Sequence, residues 1–213
     1  MGVYTCNQGK NDTLIKNVCE LYVKNGYRIA DITYGKGVFW KKINVNEYDF
    51  YGSDLKPDDR NTPEDYKKYP EKMLFETNFL KLPYNDNYFD IVVLDPPYVH
   101  NPGKMFIDKT YNNEKTTKGF YHKDIINLYI NGMKESKRIL KNNGLLWVKC
   151  QDQIESSKQK WSHIEIFNNA KEIGFYTKDL FILMQEGKPH IQYIPQQHAR
   201  RNHSYLWIFQ KVS

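Results

Sequence analysis

The chain has 213 residues, of which 40% are hydrophobic and 26% are charged, and it carries a formal net charge of +6 with a pI near 9.0. This length suits one α/β domain with a single core, and the composition excludes a largely disordered chain. The sequence contains no run approaching the roughly 20 apolar residues of a membrane span, and its polar start lacks the apolar segment of a signal peptide, so we expect a cytoplasmic protein.

Short apolar runs alternate with amphipathic stretches along the chain. Strands are predicted at 28–33, 48–54, 73–77, 89–95, 145–149, 176–184 and 205–212. Helices are predicted at 13–24, 38–42, 124–140 and 162–173, and a charged, proline-bounded loop with a short helix at 57–69. The alternation predicts an α/β fold with a mostly parallel sheet and helices on both faces, and the last two strands can form an antiparallel hairpin.

Glycines and acidic residues follow the first two predicted strands. The stretch 31–37 reads Asp-Ile-Thr-Tyr-Gly-Lys-Gly and comes directly after the first strand. Gly35 and Gly37 would let the backbone turn sharply and let a ligand approach it closely. Asp54 ends the second strand, about 20 residues beyond the glycines, where nucleoside-binding α/β folds place an acid for ribose hydroxyls. Together these features favour a nucleoside-type cofactor over an ordinary tight turn.

The most specific pattern is the tetrapeptide Asp95-Pro96-Pro97-Tyr98, which follows the most apolar predicted strand. Ligands of open α/β sheets bind beyond the carboxyl ends of the strands, and the tetrapeptide falls there. The prolines fix the backbone and lack N–H donors, so carbonyl groups stay free to accept hydrogen bonds. Asp95 and such a carbonyl can together accept both hydrogens of an amino group, and the Tyr98 ring can stack on a planar base.

This tetrapeptide resembles the D/N/S-P-P-Y/F signature of the DNA amino-methyltransferases, which act on adenine N6 or cytosine N4. The stretch 31–37 is similar to the family's cofactor motif D-P-F-x-G-x-G, with Ile and Thr where the family has Pro and Phe. Asn78 matches a position that contacts the cofactor's adenine. The resemblance implies one Rossmann-like methyltransferase domain over residues 1–213, a mostly parallel seven-stranded sheet, and S-adenosylmethionine as cofactor. Many DNA methyltransferases carry a separate target-recognition domain, whereas we expect none in this chain.

The resemblance also implies roles for individual residues. The catalytic group would be Asp95, Pro96, Pro97 and Tyr98. The cofactor would be held by Asp31, Tyr34, Gly35, Gly37, Asp54, Asn78 and Asp95. Hydrogen bonds from the target amino group to Asp95 and to the Pro96 carbonyl would draw the nitrogen lone pair out of the ring plane, and Asp95 would stabilise the developing positive charge. A target base within a duplex would have to be flipped out.

Two polar loops are expected at the catalytic edge, at 99–122 and 186–204. The first follows the tetrapeptide directly, and we expect it to cover the target base. The second is basic and joins the last two strands. The candidates for phosphate contacts are Lys104, Lys109, Lys188, Arg200 and Arg201. The positive net charge agrees with DNA as the partner, and a partner subunit or a second copy of the chain could add target recognition.

Adenine N6 in DNA is the leading hypothesis, since Asp at the first position of the tetrapeptide is typical of the adenine enzymes in the family. Three alternatives stay open: methylation of cytosine N4 in DNA, methylation of a base amino group in RNA, and a catalytically silent methyltransferase-like subunit. Cytosine C5 methylation is disfavoured because the sequence contains no Pro-Cys pair for the nucleophile. No metal is expected, because no cysteine or carboxylate pattern joins His190, His198 and His203.

Overall fold

The computed structural model describes residues 2–55, 72–75, 77–98, 121–185 and 197–212. The strands in these ranges are β1 (Cys6–Gly9), β2 (Arg28–Asp31), β3 (Asp49–Asp54), β4 (Met73–Phe75), β5 (Phe89–Leu94), β6 (Leu140–Cys150), β7 (Gln153–Glu155), β8 (Lys158–Lys160), β9 (Phe175–Gln185) and β10 (His203–Lys211). The helices in them are α1 (Asn11–Tyr22), α2 (His122–Ile139) and α3 (Ser162–Ile173), with 3-10 turns at Val38–Trp40 and Val45–Glu47.

Eight of these strands form one sheet, in the order β1-β9-β10-β6-β5-β2-β3-β4. The pairs β6–β5, β5–β2, β2–β3 and β3–β4 are parallel, whereas β10 is antiparallel to both β6 and β9. The strands β7 and β8 form a separate antiparallel hairpin directly after β6. The carboxyl ends of β6, β5, β2 and β3 therefore lie side by side, and this edge of the sheet is called the catalytic edge below.

Two apolar clusters cover the two faces of the sheet. Tyr129 and Met133 of α2 and Ala170 of α3 belong to one cluster, together with Val92 and Leu94 of β5. The other cluster joins α1 and the Val38–Trp40 turn to alternate residues of the same strands, including Ile91 and Val93. Successive strand residues point to opposite faces, so β5 is buried on both sides, as its continuous apolar sequence predicts.

The α/β fold with a mostly parallel sheet, helices on both faces and an antiparallel C-terminal hairpin is confirmed. The sheet gains one further strand, β1, whose polar residues at the edge give no apolar alternation for a prediction. The 38–42 segment is helical as predicted, but as a single 3-10 turn at Val38–Trp40. The predicted 57–69 loop lies outside the described residues. No helix in the described parts of the chain is long and apolar enough to cross a membrane.

Candidate active site

Three acidic residues lie at the carboxyl ends of adjacent parallel strands. Asp31 ends β2, Asp54 ends β3, and Asp95 follows the last residue of β5. The strand β2 lies between the other two, and Asp31 pairs with Gly52 on one side and with Val93 on the other. The sequence pattern located these residues at strand ends, and the sheet order brings them to one edge.

The glycine-containing loop after β2 is tied to the neighbouring strand β3. The Tyr34 amide donates to the Ser53 carbonyl at 3.0 Å, and the Gly35 amide donates to Asp54 Oδ2 at 3.0 Å. Gly37 closes a turn by donating to the Tyr34 carbonyl at 2.8 Å. Asp54 thus holds the loop through a backbone amide.

The backbone of this loop needs glycine at Gly37. Its φ is 64°, in the left-handed region, and a Cβ built there would lie 2.5 Å from the Tyr34 hydroxyl oxygen. Because Tyr34 is buried and meets Phe50 edge-on, its ring has little room to yield. The Gly37 Cα is therefore packed against the Tyr34 side chain, and a residue with a Cβ would not fit there without a shift of that ring.

The Asp31 carboxylate is buried, with 3% of the residue exposed, and both of its oxygens accept hydrogen bonds from the protein. Oδ1 accepts from the Thr33 amide at 3.1 Å, and Oδ2 accepts from Trp40 Nε1 at 2.7 Å. Burial raises its pKa to about 7, against the opposing effect of those two donors. Asp31 therefore fixes the shape of the loop between β2 and the Val38–Trp40 turn.

Asp95 has a different environment. Its amide donates to Thr33 Oγ1 at 2.7 Å, which anchors the tetrapeptide to the glycine loop. Its Oδ1 is enclosed, yet it accepts no hydrogen bond from any described residue. Burial raises the pKa of this carboxyl to about 6, and the Lys149 ammonium opposes that rise. A buried acceptor without a donor is costly, so this atom is suited to a ligand's N–H group.

The rest of the tetrapeptide extends the same edge. Pro96 is buried, while Pro97 and Tyr98 are half-buried. Tyr98 packs against the apolar cluster that includes α2. Asn78 lies next to Asp54, since the Thr77 amide donates to the Asp54 carbonyl at 3.1 Å, and Asn78 Oδ1 accepts from the Leu80 amide at 3.0 Å.

The residues suggested for phosphate contacts are only partly described. Lys104, Lys109 and Lys188 lie outside the described residues, as do most of the 99–122 and 186–204 loops. Arg200 is exposed. Arg201 is half-buried, and its Nη2 donates to the Gln153 carbonyl at 3.1 Å and to Gln159 Oε1, so it contacts the β7–β8 hairpin.

Three residues of this edge escaped the sequence interpretation: Thr33, Trp40 and Lys149. The contacts of Thr33 and Trp40 depend on how the loop folds back on β2, which no local pattern reveals. Lys149 gave a usable signal, because a lysine inside the apolar run Leu-Leu-Trp-Val-Lys-Cys of β6 is unusual.

Comparison with solved structures shows the fold. A SAM-dependent methyltransferase of Methanosarcina mazei aligns with a TM-score of 0.54 and 12% identity, covering 92% of this chain and 97% of that one. One from Aquifex aeolicus aligns with a TM-score of 0.54 and 13% identity, covering 93% and 89%. The [4+2]-cyclase SpnF aligns with a TM-score of 0.52 and 16% identity; the match covers 80% of this chain and only 59% of the cyclase.

Comparison with curated protein sequences gave no match. The model of the N6/N4 methyltransferase family, described as DNA methylase, matches residues 89–213. This match covers more than half of the chain and includes β5, the tetrapeptide at 95–98, and every described element that follows. The chain therefore belongs to the DNA methylase family of N6/N4 methyltransferases, for which S-adenosylmethionine is the methyl donor.

Proposed function

We propose that the protein transfers a methyl group to the exocyclic amino group of a nucleobase, and that the base is adenine, methylated at N6, in DNA. The observation that carries this proposal is the enclosed Asp95 Oδ1, which accepts no hydrogen bond from the described residues. An amino hydrogen of the target base would supply the missing donor. The Pro96 carbonyl would accept the second hydrogen, as the family resemblance implies.

The chemistry needs these acceptors because an aromatic amino group is a poor nucleophile. Its lone pair is delocalised into the ring, and two acceptors outside the ring plane make it more available for attack. S-adenosylmethionine, when bound, supplies a methyl group that is already activated. As the N–C bond forms, the methyl–sulfur bond of the donor would break and S-adenosylhomocysteine would leave. The nitrogen would become positively charged, and the Asp95 carboxylate would stabilise that charge. Loss of one amino proton then leaves the methylated, neutral base.

The residues that would hold the cofactor are those of the glycine loop and its neighbours: Asp31, Tyr34, Gly35, Gly37, Asp54 and Asn78. They lie on the β2–β3 side of the catalytic edge, while the tetrapeptide follows β5. Asp95 lies between the two regions, since its amide is bonded to Thr33 of the loop. This arrangement supports an alignment in which donor and acceptor meet beside Asp95.

The tetrapeptide, the family and the charge support adenine in DNA within the proposal. Asp at the first position of the tetrapeptide is typical of the adenine enzymes in the family, and the family description names DNA. The exposed Arg200 and the net charge of +6 suit a polyanionic substrate. Cytosine N4, an RNA base and a silent subunit are the competing outcomes of the test. Any partner subunit or second copy that aids target recognition is likewise part of this proposal.

The test incubates the protein with methyl-labelled S-adenosylmethionine and with duplex DNA, single-stranded DNA or total RNA, followed by digestion and identification of the labelled nucleoside. The expected product is labelled N6-methyldeoxyadenosine. Label in N4-methylcytosine would show that the target base is cytosine and not adenine. Label in RNA alone would overturn the assignment of DNA as the substrate. Absence of transfer with intact cofactor binding would indicate the silent subunit.

The matched variant is Asp95→Asn, which keeps the size of the side chain and removes the charge and one acceptor. We expect methyl transfer to fall by about 10²–10³-fold, as for the loss of one preorganised electrostatic contact. Folding, followed by circular dichroism, and cofactor affinity, followed by calorimetry, should change little. Near-normal transfer by Asp95→Asn would show that another residue accepts the amino hydrogens.

A further inference from the structure

Lys149, near the carboxyl end of β6, is a buried lysine that the mechanism above does not use. Only 2% of the residue is exposed. An ammonium group is seldom buried to this degree unless it has a partner. Among the described residues, the hydrogen bond made by Nζ is to Ser204 Oγ of β10, at 2.6 Å, and Ser204 is itself fully buried.

The position of Lys149 places its charge beside the tetrapeptide. Leu94 of β5 pairs with Val148 of β6, and the two strands are parallel. The next residues, Asp95 and Lys149, therefore lie side by side. Neither a hydrogen bond nor a salt bridge between their side chains is present among the described contacts. The two charges nevertheless interact. Burial raises the pKa of Asp95 and lowers that of Lys149, and each group's charge opposes the shift of the other.

We propose that Lys149 is a positioning residue that keeps the Asp95 side chain in its carboxylate form while Ser204 holds the ammonium away from it. This inference rests on the proposed function. A protonated Asp95 would donate a hydrogen bond and lose acceptor capacity, so it could no longer draw out the amino lone pair. A direct salt bridge would occupy the acceptor that the target base needs. Holding the ammonium on Ser204 supplies the charge and leaves Oδ1 available.

Other ionisable groups face this pair from the neighbouring elements. Asp95 adds to the burial that raises the pKa of Asp31 of β2. Tyr129 of α2 and Cys150 of β6 also interact electrostatically with Asp95, and burial raises the pKa of both groups far above neutrality. Those two groups are therefore neutral in the range where Asp95 titrates. Among the described residues, the Lys149 ammonium is the charge that lowers the pKa of Asp95.

The test replaces Lys149 by methionine, which is close to lysine in shape and carries no charge. The Asp95 side-chain carboxyl is titrated by carbon-detected NMR in protein without cofactor, and methyl transfer is measured from pH 5 to 9. In the wild type the titration midpoint should lie near pH 6, the value to which burial raises this pKa. In Lys149→Met it should move upward by at least half a pH unit, and the rise of activity with pH should move with it.

The upward shift of the Asp95 titration midpoint follows from the sign of the Lys149 charge. Removing a positive charge destabilises the carboxylate relative to the acid, so a higher pH is needed to ionise Asp95. Transfer by Lys149→Met should therefore be about threefold low or lower at pH 5, below both midpoints, and approach the wild-type rate at pH 9. Loss of activity that is equal at every pH, with an unmoved Asp95 titration, would overturn the inference.

The matched control is Lys141→Met. Lys141 lies on the same strand β6 and pairs with Asp90 of β5 at 2.7 Å, but at the opposite end of the two strands. This variant should leave the Asp95 titration unmoved; an equal shift in both variants would also overturn the inference. Removing one partner of a buried charge interaction destabilises a fold, so the folding of both variants is followed by circular dichroism alongside the titration. If the wild type transferred no methyl group, the proposed function would fail, while the titration would still decide the role of Lys149.

Discussion

Asp31 and Asp95 are two buried carboxyl groups whose pKa values are raised by the same cause but whose hydrogen bonding differs. Both oxygens of Asp31 accept from protein donors, Thr33 and Trp40. Asp95 Oδ1 accepts from none of the described residues, and its partner in charge, Lys149, is bonded to Ser204 instead. The first acid thus shapes the glycine loop through both of its oxygens, whereas the second keeps one oxygen available as an acceptor.

Gly37 provides a test of the loop that Asp31 shapes. We expect Gly37→Ala to lose at least tenfold in affinity for S-adenosylmethionine, because the new Cβ would lie 2.5 Å from the buried Tyr34 hydroxyl and φ is 64°. The left-handed conformation alone costs an alanine roughly 1–2 kcal/mol. Calorimetric titration with the cofactor measures the affinity, and urea denaturation measures the stability.

Gly26→Ala is the matched control for that substitution. Gly26 follows α1, its φ is 78°, and a Cβ there would meet nothing within 4 Å. In this variant the alanine also adopts the left-handed conformation, but its Cβ collides with nothing. The free energy of unfolding should therefore fall by about 1–2 kcal/mol, and the affinity for the cofactor should not change. Equal affinity in both alanine variants would remove the glycine loop from the cofactor site.

Among the secondary-structure elements, those with an apolar signature were predictable from the sequence. The run 89–95 is apolar because β5 is buried on both faces, and Ser162–Ile173 is an amphipathic helix ended by Gly174, whose φ is 90°. The β7–β8 hairpin could not be found in this way. Its strands are mostly polar, and its turn places Ser156 and Ser157 at positive φ, where sequence patterns lead one to expect glycine or asparagine.

The candidate site was also predictable only in part: its strand-end residues could be predicted, but the contacts among its side chains could not. Acidic residues and glycines that follow predicted parallel strands are predictable site residues, because parallel strands bring their carboxyl ends to one edge. The pairing of Asp95 with Lys149 depends instead on the register of β5 against β6, two strands separated by α2. The bond from Trp40 to Asp31 depends on the folding of a turn. Such contacts are set by tertiary packing and leave no local pattern.

The close packing of α2 on β5 can be tested by a substitution in α2. Gly132 of α2 faces β5 so closely that a Cβ would lie 3.0 Å from Leu94 Cδ1 and 3.1 Å from Phe79 Cε2. We expect Gly132→Leu to lower the free energy of unfolding by about 1–3 kcal/mol, as overpacking does. Because Leu94 directly precedes Asp95, methyl transfer should fall as well. Urea denaturation and the transfer assay measure the two effects.

The neighbouring substitution Asn131→Leu separates overpacking from the mere addition of a leucine. Asn131 lies on the exposed side of α2, so the larger side chain has solvent to occupy. Its stability should stay within about 0.5 kcal/mol of the wild type, as for most surface changes. If Gly132→Leu were as stable as Asn131→Leu, the close approach of α2 would not be what positions the end of β5.

Charge is a property of the whole molecule, and the net value of +6 bears on how a nucleic acid would reach the catalytic edge. Affinity that depends on phosphate contacts falls linearly with the logarithm of salt concentration, with a slope of about −0.9 for each contact in duplex DNA. We expect the affinity of this protein for duplex DNA to follow that relation, and Arg200→Ala to reduce the slope by about 1. Fluorescence anisotropy between 50 and 300 mM salt measures it.

The salt dependence of DNA affinity in two further variants shows which part of the surface contacts the duplex. Lys141→Ala removes the same charge at the amino end of β6, away from the catalytic edge, so its slope should match the wild type. Arg201→Ala should differ from both, because its guanidinium contacts Gln153 and Gln159 of the β7–β8 hairpin, and its loss should lower stability as well as affinity. A slope reduced by Lys141→Ala and not by Arg200→Ala would place the bound duplex on the opposite edge of the sheet, where the Asp95 site could not act on it.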